Sequence, residues 1–368
     1  MTRRVLVVRL DGAGDVLLAG PAIRAVAAAP GTEVSLLCGP DGEEAGRLLP
    51  GVRRVMVWTS PWTVSPAPPV RAADLDRVIA ELAGHSFDEA VLLTSFHQSP
   101  LPTALLLRLA GTGRITGASV DYPGSLLDVR LRPGDGPGDD LPEDLPEPER
   151  ALAIAGAAGF RLPRGDEGRL AVCRPPPVGR VLGPVAHRPY VVLHPGAAVP
   201  ARRWPVEHHR RAARMLERLG LPVVVTGGSG ERGLTAAVAD GCALDLGGRT
   251  DLGQLAGVLA GAVALVAGNT GAAHLAAAVG TPVVSLFAPV VPAAKWRPYK
   301  VPQVVLGDQA APCRDTRARD CPVPGHPCLS SVAPEEVVSA VRRLYPLLGR
   351  TGTGRTGRTK RHVTEGQI

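Results

Sequence analysis

Residues 268–275 (GNTGAAHL) join a glycine turn to the start of an alanine-rich helix and carry a histidine one turn in. At such a helix start several backbone N–H groups lack partners and the helix dipole presents partial positive charge, so a phosphate or diphosphate suits it. Gly271 lets the backbone approach closely, Asn269 and Thr270 flank the turn, and His274 can add a donor. The plain alternative is an ordinary strand-to-helix connection, which glycine turns also serve. Arg202 and Arg203, in the stretch RRWP, follow another expected strand end, where guanidiniums can clamp phosphate or lie solvated. Glu231, after GGSG, can accept from ribose hydroxyls or cap a helix. Asp15 enters a different helix: the dipole stabilises a carboxylate there, and the carboxylate would repel a cofactor pyrophosphate. The pair Gly12-x-Gly14 beside it lacks the third glycine of a dinucleotide fingerprint, because Leu17 stands in its place.

These residues sit where strands hand over to helices. Apolar runs at 5–8, 33–37, 52–58 and 89–93 predict strands, and the patterns at 21–29, 72–83 and 101–109 predict helices. That alternation predicts a parallel sheet with helices on both faces. A helix is expected from 150 to 160, followed by a proline-rich linker at 173–189 that holds Pro175, Pro176 and Pro177. From Tyr190 the strand and glycine turn repeat, with strands near 190–194, 222–226, 262–267 and 282–287 and a closing helix at 334–347. Two Rossmann-like halves follow: 1–172, the linker, 190–348, and a basic tail at 349–368 expected to be disordered. Ligands in open α/β sheets bind beyond the carboxyl ends of strands, so His97 and Gln98 are candidate acceptor contacts, with Gly14 near the first turn. The segment 134–149, rich in Asp, Glu, Pro and Gly, reads as a mobile surface loop.

Composition narrows the classes. The chain has 368 residues, 45% hydrophobic and only 3% aromatic, so its cores are built from Ala, Val and Leu. No apolar run approaches the roughly 20 residues of a membrane span, which points to a cytoplasmic protein with at most peripheral membrane contact. The net charge of +7 is carried in part by the tail, where five Lys and Arg residues face one Glu, so nucleic acid is not an expected partner. Cys313, Cys321 and Cys328 crowd near His326 without the paired C-x-x-C spacing, and a loop of part-buried thiols with no metal is expected.

The motifs RLDGAGDVLLAGP (9–21), HPGA (194–197), RRWP (202–205), GGRTDL (247–252), GNTGAAHL (268–275) and the stretch 285–296 together resemble glycosyltransferase family nine, the lipopolysaccharide heptosyltransferases. The resemblance covers nearly all of the chain outside the acidic segment and the tail, and extends to the cysteine-bearing loop. It implies a GT-B fold with donor bound on the C-terminal domain, acceptor on the N-terminal domain, and no metal or other cofactor. It also implies an inverting transfer of a heptose or related sugar from an ADP-linked donor. On that pattern Asp15 is the catalytic base, Thr270, Gly271 and His274 contact donor phosphate, and Glu231 lies near the nucleoside. Two positions depart from the family: Arg202 or Arg203 stands where a lysine is usual, and Asn269 where an aspartate is usual.

The chemistry is coherent on residue types alone. Transfer from a nucleoside-diphosphate sugar needs the leaving diphosphate neutralised and a carboxylate to take the acceptor proton. Partners expected are the nucleotide-sugar donor and a glycan, lipid-linked glycan or small-molecule acceptor, for a monomeric enzyme. A GT-B nucleotide-sugar epimerase and a non-catalytic nucleotide-sugar-binding protein are the alternatives.

Overall fold

The computed structural model describes residues 2–64 and 66–351; most of the expected tail lies outside the described residues. Among the described residues twelve strands form two six-stranded sheets, and every strand pair within them is parallel. The first contains β1 (Arg3–Arg9), β2 (Thr32–Cys38), β3 (Val52–Val57), β4 (Glu89–Leu92), β5 (Arg114–Ala118) and β6 (Val129–Leu131), in the order β3-β2-β1-β4-β5-β6. The second contains β7 (Val191–His194), β8 (Val223–Val225), β9 (Leu244–Asp245), β10 (Ala264–Gly268), β11 (Val283–Leu286) and β12 (Gln303–Leu306), in the order β12-β11-β10-β7-β8-β9. Both follow the Rossmann order, with the connection reversing direction between β1 and β4 and between β7 and β10. Helices cover both faces, so central strands read as continuous apolar runs; Val5, Leu6, Val7, Val191, Val192, Leu193 and Leu265 are fully buried.

The two halves meet through their glycine turns. Helix Ala13–Leu18, which follows β1, packs against helix Gly271–Ala278, which follows β10. A β-carbon on Gly14 would lie 3.1 Å from the His274 ring and 3.2 Å from Gly271 Cα, so glycine is what permits this approach. Residues 173–189 contain a helical turn, Gly179–Leu182, and a 3-10 turn, Gly183–His187. Pro176 and Val178 press on Gly257 of helix Leu252–Ala260.

Residues 134–146 of the acidic segment are a largely exposed loop, as its charges suggested, but the end of the segment is not. Its C-terminal part starts helix Glu147–Ala157, and Glu147 is 1% exposed. The reason is a buried cation: Arg9, at the end of β1, is 2% exposed, and its guanidinium bonds to Glu147 Oε2 at 3.2 Å. Two more of its acidic residues are engaged by side chains of the C-terminal half. Lys295, 6% exposed, donates to the Glu143 carbonyl, and Tyr299 O–H donates to Glu149 at 2.9 Å. Residues 295–300 of the C-terminal half therefore strap onto residues 143–149 of the N-terminal half.

Candidate active site

The carboxyl ends of β1 and β4 face those of β7 and β10 across a cleft of about 780 Å³. Asp11, Asp15, Ser95 and Phe96 line it from one side and Arg202, Asn269, Thr270 and His274 from the other. Both topological switch points thus open onto one space.

On the C-terminal side, helix Gly271–Ala278 points its start into the cleft, and Thr270 occupies the N-cap with extended backbone and no side-chain cap bond. Four buried polar atoms here have no partner: Arg202 Nε, Asn269 Nδ2, Thr270 Oγ1 and His274 Nδ1. Buried polar groups are nearly always satisfied, so a cluster of this kind marks a place suited to a polar ligand. Burial pulls the His274 imidazole down to about 4. It is therefore a neutral hydrogen-bonding group at pH 7, and the positive charge comes from guanidiniums. Arg202 supplies one, and its Nη1 also bonds to the Asn269 carbonyl at 3.4 Å. Asn269 Oδ1 in turn accepts from Ala288 N–H at 3.4 Å.

Arg203 does not join this group. Its Nε and Nη2 both donate to the Ala197 carbonyl, at 2.9 and 2.7 Å, which fixes the turn after β7. Glu231 also lies outside the cleft lining; its Oε2 accepts from Gly228 N–H at 2.9 Å, and its carboxylate presses on Gly196, where any β-carbon would collide with it. Two cations that sequence reading missed, Arg317 and Arg319, line the cleft from the cysteine-bearing loop. Arg317 has left-handed backbone (φ 58°), as does Asp315 (φ 59°), and Arg317 N–H bonds to the Val290 carbonyl at 2.8 Å. Two non-glycine residues in that region mark a turn held by its surroundings to aim a side chain. The same loop buries Cys313 and Cys328, whose thiols adjoin; burial and the neighbouring thiols push Cys328 up to about 12. Among the described residues no group of three or more His, Cys, Asp or Glu is arranged to hold a metal ion.

On the N-terminal side Asp15 is held from two directions. Arg9 Nη2 donates to Asp15 Oδ1 at 2.8 Å, and Trp296 Nε1, from the opposite domain, donates to the same oxygen at 3.2 Å. Both bonds use Oδ1, which leaves Oδ2 for another partner. Arg9 gathers more than Asp15: its Nε lies 2.9 Å from Asp11 Oδ2, and Nη2 also reaches Ser95 Oγ at 2.8 Å. Burial opposes the Arg9 charge, but Asp11, Asp15 and Glu147 outweigh it and raise its pKa above the ordinary value. Burial raises Asp11 in turn, against the pull of Arg9. The signal for Arg9 was a charged residue ending an otherwise apolar strand, six positions before Asp15. Glu147, 138 residues away, gave none.

Gln98 donates to Asp11 Oδ1 at 2.7 Å, so it braces the same network. His97 is exposed at the cleft rim, where partial burial and Arg317 hold its imidazole below its usual value. Beyond His97 lies a second cavity of about 410 Å³, lined by residues of the N-terminal half and by Arg317.

A family model for glycosyltransferase family 9 (heptosyltransferase) matches residues 143–326. The chain belongs to that family. A relative, lipooligosaccharide heptosyltransferase 2 of Haemophilus influenzae, is 32% identical over 117 residues, covering 29% of this chain and 34% of the relative. The chain thus matches about a third of that relative's length. Among solved structures, a family 9 glycosyltransferase from Veillonella parvula superposes with a TM-score of 0.76 at 18% identity, over 94% of this chain and 98% of the other. An Escherichia coli heptosyltransferase solved with ADP superposes with a TM-score of 0.68 at 20% identity, over 93% and 99%. At these identities the likeness establishes the fold, which is GT-B. The glycine turns that carry Asp15 and His274 face each other across the cleft.

Proposed function

We propose that this family 9 protein is an inverting glycosyltransferase that moves a heptose or related sugar from an ADP-linked donor to an acceptor hydroxyl, without a metal. The observation that carries the reading is the set of four unpaired buried polar groups at the start of helix Gly271–Ala278, opposite the Asp15 carboxylate. A diphosphate would accept from those groups, with Arg202, Arg317 and Arg319 supplying countercharge. An adenosine donor is supported by the fold-level relative solved with ADP.

In the reaction the acceptor oxygen attacks the anomeric carbon from the face opposite the diphosphate. Asp15 Oδ2 takes the hydroxyl proton as the new C–O bond forms, and the bond to the diphosphate oxygen breaks with its electron pair leaving on the nucleoside diphosphate. Arg9 and Trp296 fix Oδ1, so the free oxygen is presented in a defined direction. Guanidiniums, the helix start and His274 stabilise the charge developing on the leaving group. The work is divided between domains: proton removal on one side, leaving-group stabilisation on the other.

The test is to incubate the protein with ADP-heptose and other nucleotide sugars, with and without added glycosides, and follow nucleotide release and sugar configuration. Transfer predicts release that depends on the acceptor and product of inverted anomeric configuration. Sugar isomerisation without acceptor would make it an epimerase, and tight binding with no conversion would make it a binding protein.

A further inference from the structure

The 410 Å³ cavity differs in chemistry from the cleft it adjoins. Its floor is apolar, built from Val8 of β1, Leu10 just after it and Leu92 of β4, and one wall is the indole of Trp62. Among the described residues the ionisable ones lining it are His97 and Arg317, and both also line the cleft, so they stand at the junction of the two spaces. The interior polar groups are neutral: hydroxyls of Thr63, Thr94 and Thr103 and the amide of Gln98. Thr94 Oγ1 is buried and has no partner, although its own carbonyl is pinned by Arg150 Nη1 at 2.7 Å. Trp62 is held in place before any ligand arrives. Its Nε1 donates to Thr103 Oγ1 at 3.1 Å, and Trp58 packs edge-on with ring centroids 5.1 Å apart.

A fixed aromatic face, an apolar floor and neutral hydroxyls fit one kind of occupant: a ring with an apolar face and hydroxyls on its edge. A carboxylate or phosphate placed on Trp62 would meet the neutral hydroxyls and apolar side chains of the interior, while the Arg317 guanidinium stands where the cavity joins the cleft. We propose that this cavity binds the acceptor as an uncharged sugar ring stacked on Trp62, with the attacking hydroxyl directed past His97 toward Asp15. The proposal rests on the transferase reading and names the acceptor class for it. The cavity lies at the lower end of the range for small-molecule sites, about 300–1,000 Å³, which suits a small saccharide unit and excludes an extended chain from this space.

The experiment is saturation-transfer NMR on the full chain in the presence of ADP. Methyl hexopyranosides are the neutral probes, and methyl hexuronates and hexose phosphates are the charged ones. The neutral glycosides are expected to bind, with affinity reduced about tenfold or more in Trp62→Ala, in keeping with loss of an aromatic platform. Trp62→Phe, which keeps the face and loses only the bond to Thr103, is expected to retain most of it. ADP titrations should match in all three proteins, which establishes that they are folded. Stronger binding of the charged sugars, abolished by Arg317→Ala, would overturn the proposal, as would neutral binding that Trp62→Ala leaves unchanged. Absence of any saccharide binding while ADP still binds would also overturn it and leave the donor site standing. Failure of the donor reading would appear separately, as no ADP binding to the unmodified chain.

Discussion

Arg9 is the residue on which the N-terminal side of the site depends. One buried guanidinium contacts Asp11, Asp15 and Glu147, so its removal would strand three carboxylates around a cavity. Breaking a buried ion pair by deleting one partner costs about 3–5 kcal/mol, and Arg9→Met should therefore lower stability by that amount in denaturant titration at pH 7. Part of the loss should be recovered below pH 5, where protonation relieves the repulsion; equal loss at both pH values would mean that packing, not charge, is what Arg9 provides. His274 tests the other side. A hydrogen bond to a charged group is worth about 1.5–3 kcal/mol, so His274→Ala should weaken ADP binding by roughly 10- to 100-fold in calorimetry. Unchanged affinity would put the diphosphate elsewhere.

At the scale of elements, the cleft is made by two short strand-to-helix turns brought into contact. Gly14 lets helix Ala13–Leu18 lie against Gly271 and His274, and a β-carbon there would force neighbours apart by a few tenths of an ångström. Gly14→Ala should lower the thermal midpoint and weaken ADP binding together, since the displaced atoms belong to the donor turn; a variant with unaltered melting and affinity would show that the domains have room to spare. The turns themselves were legible in the sequence because glycine punctuation after an apolar run has a local cause. So were the strands, whose continuous burial gives runs such as Val5-Leu6-Val7-Val8. The residues that were not legible depend on tertiary partners. Arg203 and Arg202 look alike in sequence, yet one turns back to the Ala197 carbonyl and the other lines the cleft. Glu147 sits among acidic, loop-forming residues and is buried only because Arg9 awaits it from a strand far away in the chain. Arg317 was hidden in a loop whose cysteines drew the eye, and only the backbone turn at Asp315 and Arg317 aims it inward.

At the scale of the whole molecule, buried histidines make stability depend on pH. Burial pulls His209 down to about 3 and His274 to about 4, from an ordinary value of 6.5. Both are neutral in the folded protein, whereas the unfolded chain takes up protons as pH falls below 6.5. Stability is therefore fully present above about pH 6.5 and declines toward pH 4, by several kcal/mol in total at about 1.4 kcal/mol per pH unit for each group. Thermal melting across that window should show the decline, and a midpoint flat from pH 7 to 4 would contradict the burial of these rings as neutral groups. The larger claim is that two Rossmann-like halves divide one reaction, with the base on the first and the diphosphate site on the second. The most direct test is Asp15→Asn, which keeps the side chain's shape and its bond from Arg9 while removing the proton acceptor. Turnover measured with saturating nucleotide sugar and acceptor should fall about a hundredfold or more, as for loss of a positioned base, while ADP affinity stays within about twofold. Full turnover in the variant, or a loss of ADP binding equal to the loss of turnover, would contradict the division of labour between the two domains.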